Sequence, residues 1–191
     1  MKLRTFSVLT LTIALLLMVS ACDTEITETE EVPENNDVVE HRLSPVAISA
    51  ISYDDTYIKV VYGQPWKRGR TIFGELVPYN EVWRTGANEA TEITLTQPVQ
   101  MAGHEVEAGT YALFTIPEEE QWTVILNTDL GQWGAFNYDE ESDYLRFSVP
   151  SHRTDQVVEG FTISFDDTEN SSTIMHLAWD DTRIEVPIEF I

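Results

Sequence analysis

The stretch "GQPWKRGRTIFG", residues 63 to 74, places three cations within four positions, at Lys67, Arg68 and Arg70, and Arg84 follows shortly after. The chain as a whole has 33 Asp and Glu against 11 Lys and Arg, so this clustering runs against its composition. Arg offers a planar, two-pronged donor that matches carboxylate or phosphate, and the flanking Tyr62, Trp66, Phe73, Tyr79 and Trp83 supply apolar faces for a sugar or a ring. Such a combination on a loop fits a pocket for a small anionic or polyhydroxylated ligand. The candidate ligand-binding residues are Trp66, Lys67, Arg68, Arg70, Trp83, Arg84, Asn88 and Glu89. The competing reading is structural: Arg84 pairs with Glu81, Glu89 or Glu92, and Lys67 and Arg68 tie the loop to acids on neighbouring strands.

Three kinds of role remain open. The first is a non-catalytic binding module for an anionic or glycan ligand, or for a partner protein. The second is an extracytoplasmic hydrolase, in which the four cations hold transition-state charge and Glu89 is the acid or base. The third is a structural envelope protein. Established catalytic signatures are missing: no Gly-x-Ser-x-Gly elbow, Walker loop, dinucleotide fingerprint or His-Glu-x-x-His occurs, and no catalytic residue or cofactor is assigned. His41, His104, His152 and His176 do not fall at metal-ligand spacing. A strand position favours a hydrogen-bonded core role for His176, and His104 falls in a hairpin turn. Asp54-Asp55, Asp166-Asp167 and Asp180-Asp181 read as turns rather than as calcium loops. No metal site is expected.

The N-terminus states an address. Lys2 and Arg4 precede 14 uncharged residues, Phe6 to Val19, and then Ser20-Ala21-Cys22. This is the order of a secretory signal, too short to span a bilayer. The tail "VSAC" resembles the bacterial lipoprotein box, which makes Cys22, the only cysteine, an acylated anchor to the membrane outside the cytoplasm. Residues 1–21 are thus expected to be removed, and residues 22–43 to form the acylated cysteine and a disordered acidic tether. Residues 23–40 hold eight acids, no base and no aromatic, too little apolar surface to offset ordering. Loss of Lys2 and Arg4 takes the net charge from −22 to −24, which excludes nucleic acid as a partner, since phosphates call for Lys and Arg. The acidic run after the cysteine also resembles the export tag of surface lipoproteins, so the outer membrane or cell surface is the expected location, the alternative being inner-membrane retention through Asp23 directly after the cysteine.

Residues 44–191 must build the framework. Short β-branched and aromatic runs are separated by Gly, Pro, Asn and Asp, the pattern of an all-β domain. Strands are expected at 46–53, 56–62, 92–97, 109–117, 121–127, 143–150, 159–166, 172–180 and 183–190. That is about nine, enough for an antiparallel β-sandwich of jelly-roll-like kind. Asp54-Asp55 closes the opening hairpin, Pro187 marks an edge, and the dense apolar runs at 109–117 and 121–127 imply cover on both faces. The long connectors at 63–91 and 128–142 have the length of functional loops.

"YGQPWKRGRTIFGELVPYNEVWRTGANEATEITL" together with "AGTYALFTIPEEEQWTVILNTDLGQWG" resembles the bacterial family known as domain of unknown function 2911, over about residues 44 to 190. Its members look like secreted proteins or lipoproteins. The resemblance implies a shared fold and singles out the cationic loop, without supplying a reaction. Gln64 stands where the family tends to carry a basic residue.

Overall fold

The computed structural model describes residues 42–191. The expected signal peptide, the acylated Cys22 and all but the last two residues of the tether lie outside the described residues. The domain is all-β. Its strands are β1 (Val46–Tyr53), β2 (Thr56–Gly63), β3 (Thr91–Leu95), β4 (Val99–Met101), β5 (His104–Val106), β6 (Gly109–Pro117), β7 (Gln121–Asn127), β8 (Asp143–Phe165) and β9 (Ser172–Phe190). All pairings are antiparallel, in the order β1-β2-β3-β6-β7-β8-β9-β4-β5.

Local sequence explains the hairpins. Tyr53 pairs with Thr56 across Asp54-Asp55, and Asp54 takes a left-handed φ of 49°, which Asp tolerates better than most residues. Met101 pairs with His104 across Ala102-Gly103, both at positive φ (49° and 81°), as a tight hairpin turn needs.

Nine strands were expected and nine form, but they are not the same nine. The runs at 143–150 and 159–166 are the two ends of β8, 23 residues long, and those at 172–180 and 183–190 are the two ends of β9, 19 residues long. The polar stretch between the halves of β8 stays on the strand through register shifts between Arg153 and Val158 and between Val158 and Thr162. Asp180, read as a turn residue, sits opposite Val158 within β9 at φ 56°. A bulge bends a strand without ending it, so turn-forming residues there imitate a break. The remaining two strands, β4 and β5, have three residues each, too few to show a period.

The first part of β8 pairs with β7 and the rest with β9, which carries the sheet round on itself. Strands far apart in the sheet order consequently meet across one core. Tyr53 of β1 stacks on Phe190 of β9 at 5.0 Å, and the backbone N–H of Ile163 on β8 donates to the Tyr62 hydroxyl at 3.1 Å. Ile58, Ile93, Leu113, Trp122, Phe161 and Leu177 come from six different strands and are fully buried in that core. β9 lies between β8 and β4, so Pro187 does not mark an outer strand; it stands opposite Ala102, one residue past the end of β4, where its carbonyl accepts from Ala102 N at 2.8 Å and its missing N–H falls outside the β4 ladder.

The outer face of β6 and β7 is covered as well. Ala112, Phe114 and Ile125 are buried there with Ala90, against Val82, Ala135 and Tyr138 from the two long loops. These loops also grip each other, since Ala90 N donates to Gln132 O at 2.8 Å and Gly134 N to Asn88 O at 2.9 Å.

Candidate functional site

The cationic loop is irregular but closely held. Phe161 N donates to Pro65 O at 2.8 Å and Lys67 N to Glu159 O at 2.7 Å, so the segment around Trp66 runs beside the C-terminal part of β8. Farther on, Trp83 and Thr115 exchange two backbone hydrogen bonds, which continues the sheet beyond the end of β3. Between these anchors, Gly63 and Ala87 approach so closely that a Cβ on Gly63 would stand 2.0 Å from the Ala87 carbonyl oxygen. Only glycine fits there.

The path between the anchors encloses a hollow of about 340 Å³. Trp83 and Trp179, both buried and stacked with centroids 6.0 Å apart, contribute to its lining together with Val77 and Ala87. Leu43, Ser44, Pro65, Trp66 and Leu76 complete the walls with Asn88 and Gly86. Among the described residues, the charged side chains in that lining are Arg68, Arg70 and Arg84, with no carboxylate.

The three arginines differ in what already occupies them. Arg68 sends one terminal nitrogen to Leu43 O at 3.1 Å, and its own backbone N–H donates to the Glu159 carboxylate at 2.7 Å. Arg70 binds two carbonyls, Lys67 O through Nε at 3.0 Å and Trp66 O through Nη2. Arg84 is half-buried, forms no ion pair with a described residue, and has a buried Nε with no hydrogen-bond partner. Burial lowers its pKa from the ordinary arginine value, because the charged form is desolvated without a counter-charge.

The backbone next to Arg84 is strained and held by its neighbours. The next residue, Thr85, is fully buried with φ 54°, and a β-branched residue at positive φ is a true outlier, costing on the order of 1–3 kcal/mol. Its surroundings keep it there: Thr91 Oγ1 donates to Thr85 O at 2.7 Å, and the Thr85 and Thr115 hydroxyls lie 3.1 Å apart. Asn88, also left-handed at φ 66°, reaches Ser44 O through Nδ2 at 3.4 Å.

A family model described as "Protein of unknown function (DUF2911)" matches residues 44–188. The chain belongs to this family. No curated protein and no solved structure matches it. The match begins two residues before β1 and ends within β9, so the whole cationic loop is part of the DUF2911 domain.

Of the eight residues singled out in the sequence, the DUF2911 fold brings Trp66, Arg68, Arg70, Trp83, Arg84 and Asn88 to the hollow. Lys67 and Glu89 go elsewhere. Lys67 forms an ion pair with Asp180 on β9. Glu89 pairs with Arg42, and its backbone bridges Trp133 on the far side of the loop. None of the acids considered as partners for Arg84 reaches it: Glu92 instead accepts from Gly131 N at 3.0 Å. Trp83 is nine-tenths buried and donates Nε1 to Gly86 O at 3.0 Å, so it belongs to the core as much as to the cavity wall. Sequence reasoning missed Trp179, which joins from β9, and Leu43 and Ser44, which precede β1. No local signal marked them.

The described histidines are dispersed. His176 sits on the outward face of β9, with Nε2 3.0 Å from Asp166 and Nδ1 3.8 Å from Glu185, rather than in the core. His104 follows the β4–β5 turn and stacks over Phe147. Among the described residues no group of three or more His, Cys, Asp or Glu side chains is disposed to hold a metal ion, and no helix is long and apolar enough to cross a membrane.

Proposed function

We propose that this DUF2911 protein is a lipid-anchored binding module outside the cytoplasm, with the hollow beside Arg84 as its site for a small anionic ligand. One observation carries the reading. In a chain of 33 acids, Arg84 is half-buried at a cavity wall with no carboxylate partner among the described residues. An uncompensated buried cation is costly, and a bound anion removes that cost. The volume falls within the range of small-ligand pockets. The lining weighs against a hydrolase at this place: its described residues include no Asp, Glu or His to act as acid or base, and Glu89 is engaged by Arg42. Anchoring at Cys22, on the outer membrane or cell surface, rests on the lipoprotein-like start of the chain.

The test is thermal stabilisation of the full chain by a panel of phosphate, citrate, succinate and glucuronate. At least one anion is expected to raise Tm, and the double variant Arg70→Ala/Arg84→Ala to keep the fold and lose the effect. Stabilisation that persists in a folded double variant, or none by any anion, removes the reading. For the anchor, Cys22→Ser is expected to release the protein from the membrane fraction and to abolish incorporation of labelled fatty acid.

A further inference from the structure

The geometry points to a more specific ligand: a compact organic dianion with an apolar body, whose carboxylate docks on Arg84 while a second negative group faces Arg68 and Arg70. This rests on the binding reading above and adds the chemical class.

The three guanidiniums in the lining donate and cannot accept. A neutral sugar presents hydroxyl protons that need acceptors, and among the described residues the side chains that offer any there are Asn88 and Ser44. The site is therefore matched to a ligand made of acceptors, meaning carboxylate, phosphate or sulfate oxygens.

Division of labour among the arginines sets the number of charges. Arg84 donates to no described residue, and because its Nε is buried the edge it offers a ligand is that of its two terminal nitrogens. A planar carboxylate takes such an edge in two parallel bonds. Arg68 and Arg70 are exposed and spend donors on the carbonyls of Leu43, Lys67 and Trp66. Those bonds pin them in place and leave them as fixed positive charges nearer to solvent. Neither forms an ion pair with a described residue, so a ligand that reaches past Arg84 meets two further cations free to pair with it. A second negative group answers them.

The rest of the lining gives the body. Leu43, Pro65, Trp66, Leu76 and Val77 are apolar, and Trp66 is 41% exposed. A hydrocarbon or aromatic body buries against these walls, where a fully hydrated inorganic anion gains nothing.

The experiment is calorimetric titration of the full chain with isophthalate, benzoate, succinate and maltose. Isophthalate is expected to bind about tenfold tighter than benzoate, as one added charge-assisted contact provides, and tighter than succinate, which lacks the ring. Maltose is expected not to bind. Arg84→Gln weakens both aromatic acids, whereas Arg70→Gln weakens isophthalate about tenfold and benzoate about twofold. Arg70 is exposed, so its variant tests the charge count even where Arg84→Gln folds poorly. Equal binding of isophthalate and benzoate, binding of maltose, or no binding of isophthalate overturns the inference. If the hollow then still takes an anion from the earlier panel in an Arg84-dependent way, only the dianion class has failed. If it takes none, the binding reading has failed with it.

Discussion

Trp83 and Thr115 exchange both of their backbone hydrogen bonds, 2.7 Å from Trp83 N to Thr115 O and 2.9 Å in return. Through this pair the end of an irregular loop becomes a further element on the edge of β6 that β3 leaves free, and Arg84 follows it directly. The guanidinium thus stands on the sheet framework, not on a free connector. The amides of Trp83 and Thr115 are accordingly expected to exchange with solvent as slowly as those in the middle of β6 and β7. Hydrogen-exchange NMR of the ligand-free protein checks this. Exchange of Trp83 at the rate of an exposed turn such as Gly69 contradicts it.

Arg84 is expected to cost stability for the sake of binding. Replacing it by Met, of similar length and without charge, removes an unpartnered buried donor and a desolvated cation. Arg84→Met should raise the unfolding free energy of the ligand-free protein by about 1 kcal/mol, with anion binding lost. Denaturant unfolding with and without ligand measures both. A variant less stable than the parent shows that the guanidinium has partners of its own.

Gly63→Ala is expected to be severe. Its Cβ would meet the Ala87 carbonyl oxygen at 2.0 Å, a backbone atom that cannot turn aside. Overpacking of this kind costs about 3 kcal/mol, equivalent to a drop of about 10 °C in Tm. Gly69→Ala, at φ 72° with nothing within 4 Å of the new Cβ, should cost only about 1 kcal/mol from the left-handed backbone. Thermal melts of the two variants are the comparison.

Alkaline stability should depend on Tyr138. Burial, together with the 2.7 Å hydrogen bond that its hydroxyl donates to Asp143 Oδ2, pushes its pKa up to about 12. The folded state therefore holds the phenol proton that the unfolded chain releases near pH 10. The associated stability is complete below the unfolded pKa and is lost as pH rises through the folded one. Unfolding free energy should fall between about pH 10 and pH 12, and Tyr138→Phe should flatten that part of the curve. Denaturant unfolding at successive pH values measures it.

Much of the framework could be read directly. The ranges of β1, β6 and β7 match the pattern residue for residue, because alternation, turn residues and β-branching all act within a few positions. The two-sided cover of β6 and β7 was legible too, since apolar residues at adjacent positions need two dry faces. Long-range register stayed hidden. The bulges of β8 and β9 carry the same polar residues as turns, and only pairing with the neighbouring strand tells the two apart.

Pattern and motif were enough for an all-β DUF2911 domain with scarce cations gathered on one loop among aromatic rings. They did not determine which of those cations would be spent. Lys67 and Arg84 both stand in an acidic chain with carboxylates at hand, yet Lys67 meets Asp180 and Arg84 meets none of the described acids. That outcome depends on β9 lying beside the loop from more than a hundred residues away, with Trp179 turned to the hollow and Asp180 to Lys67. Ion pairing requires contact at a few ångströms, and for residues so distant along the chain contact is a property of the folded sheet alone.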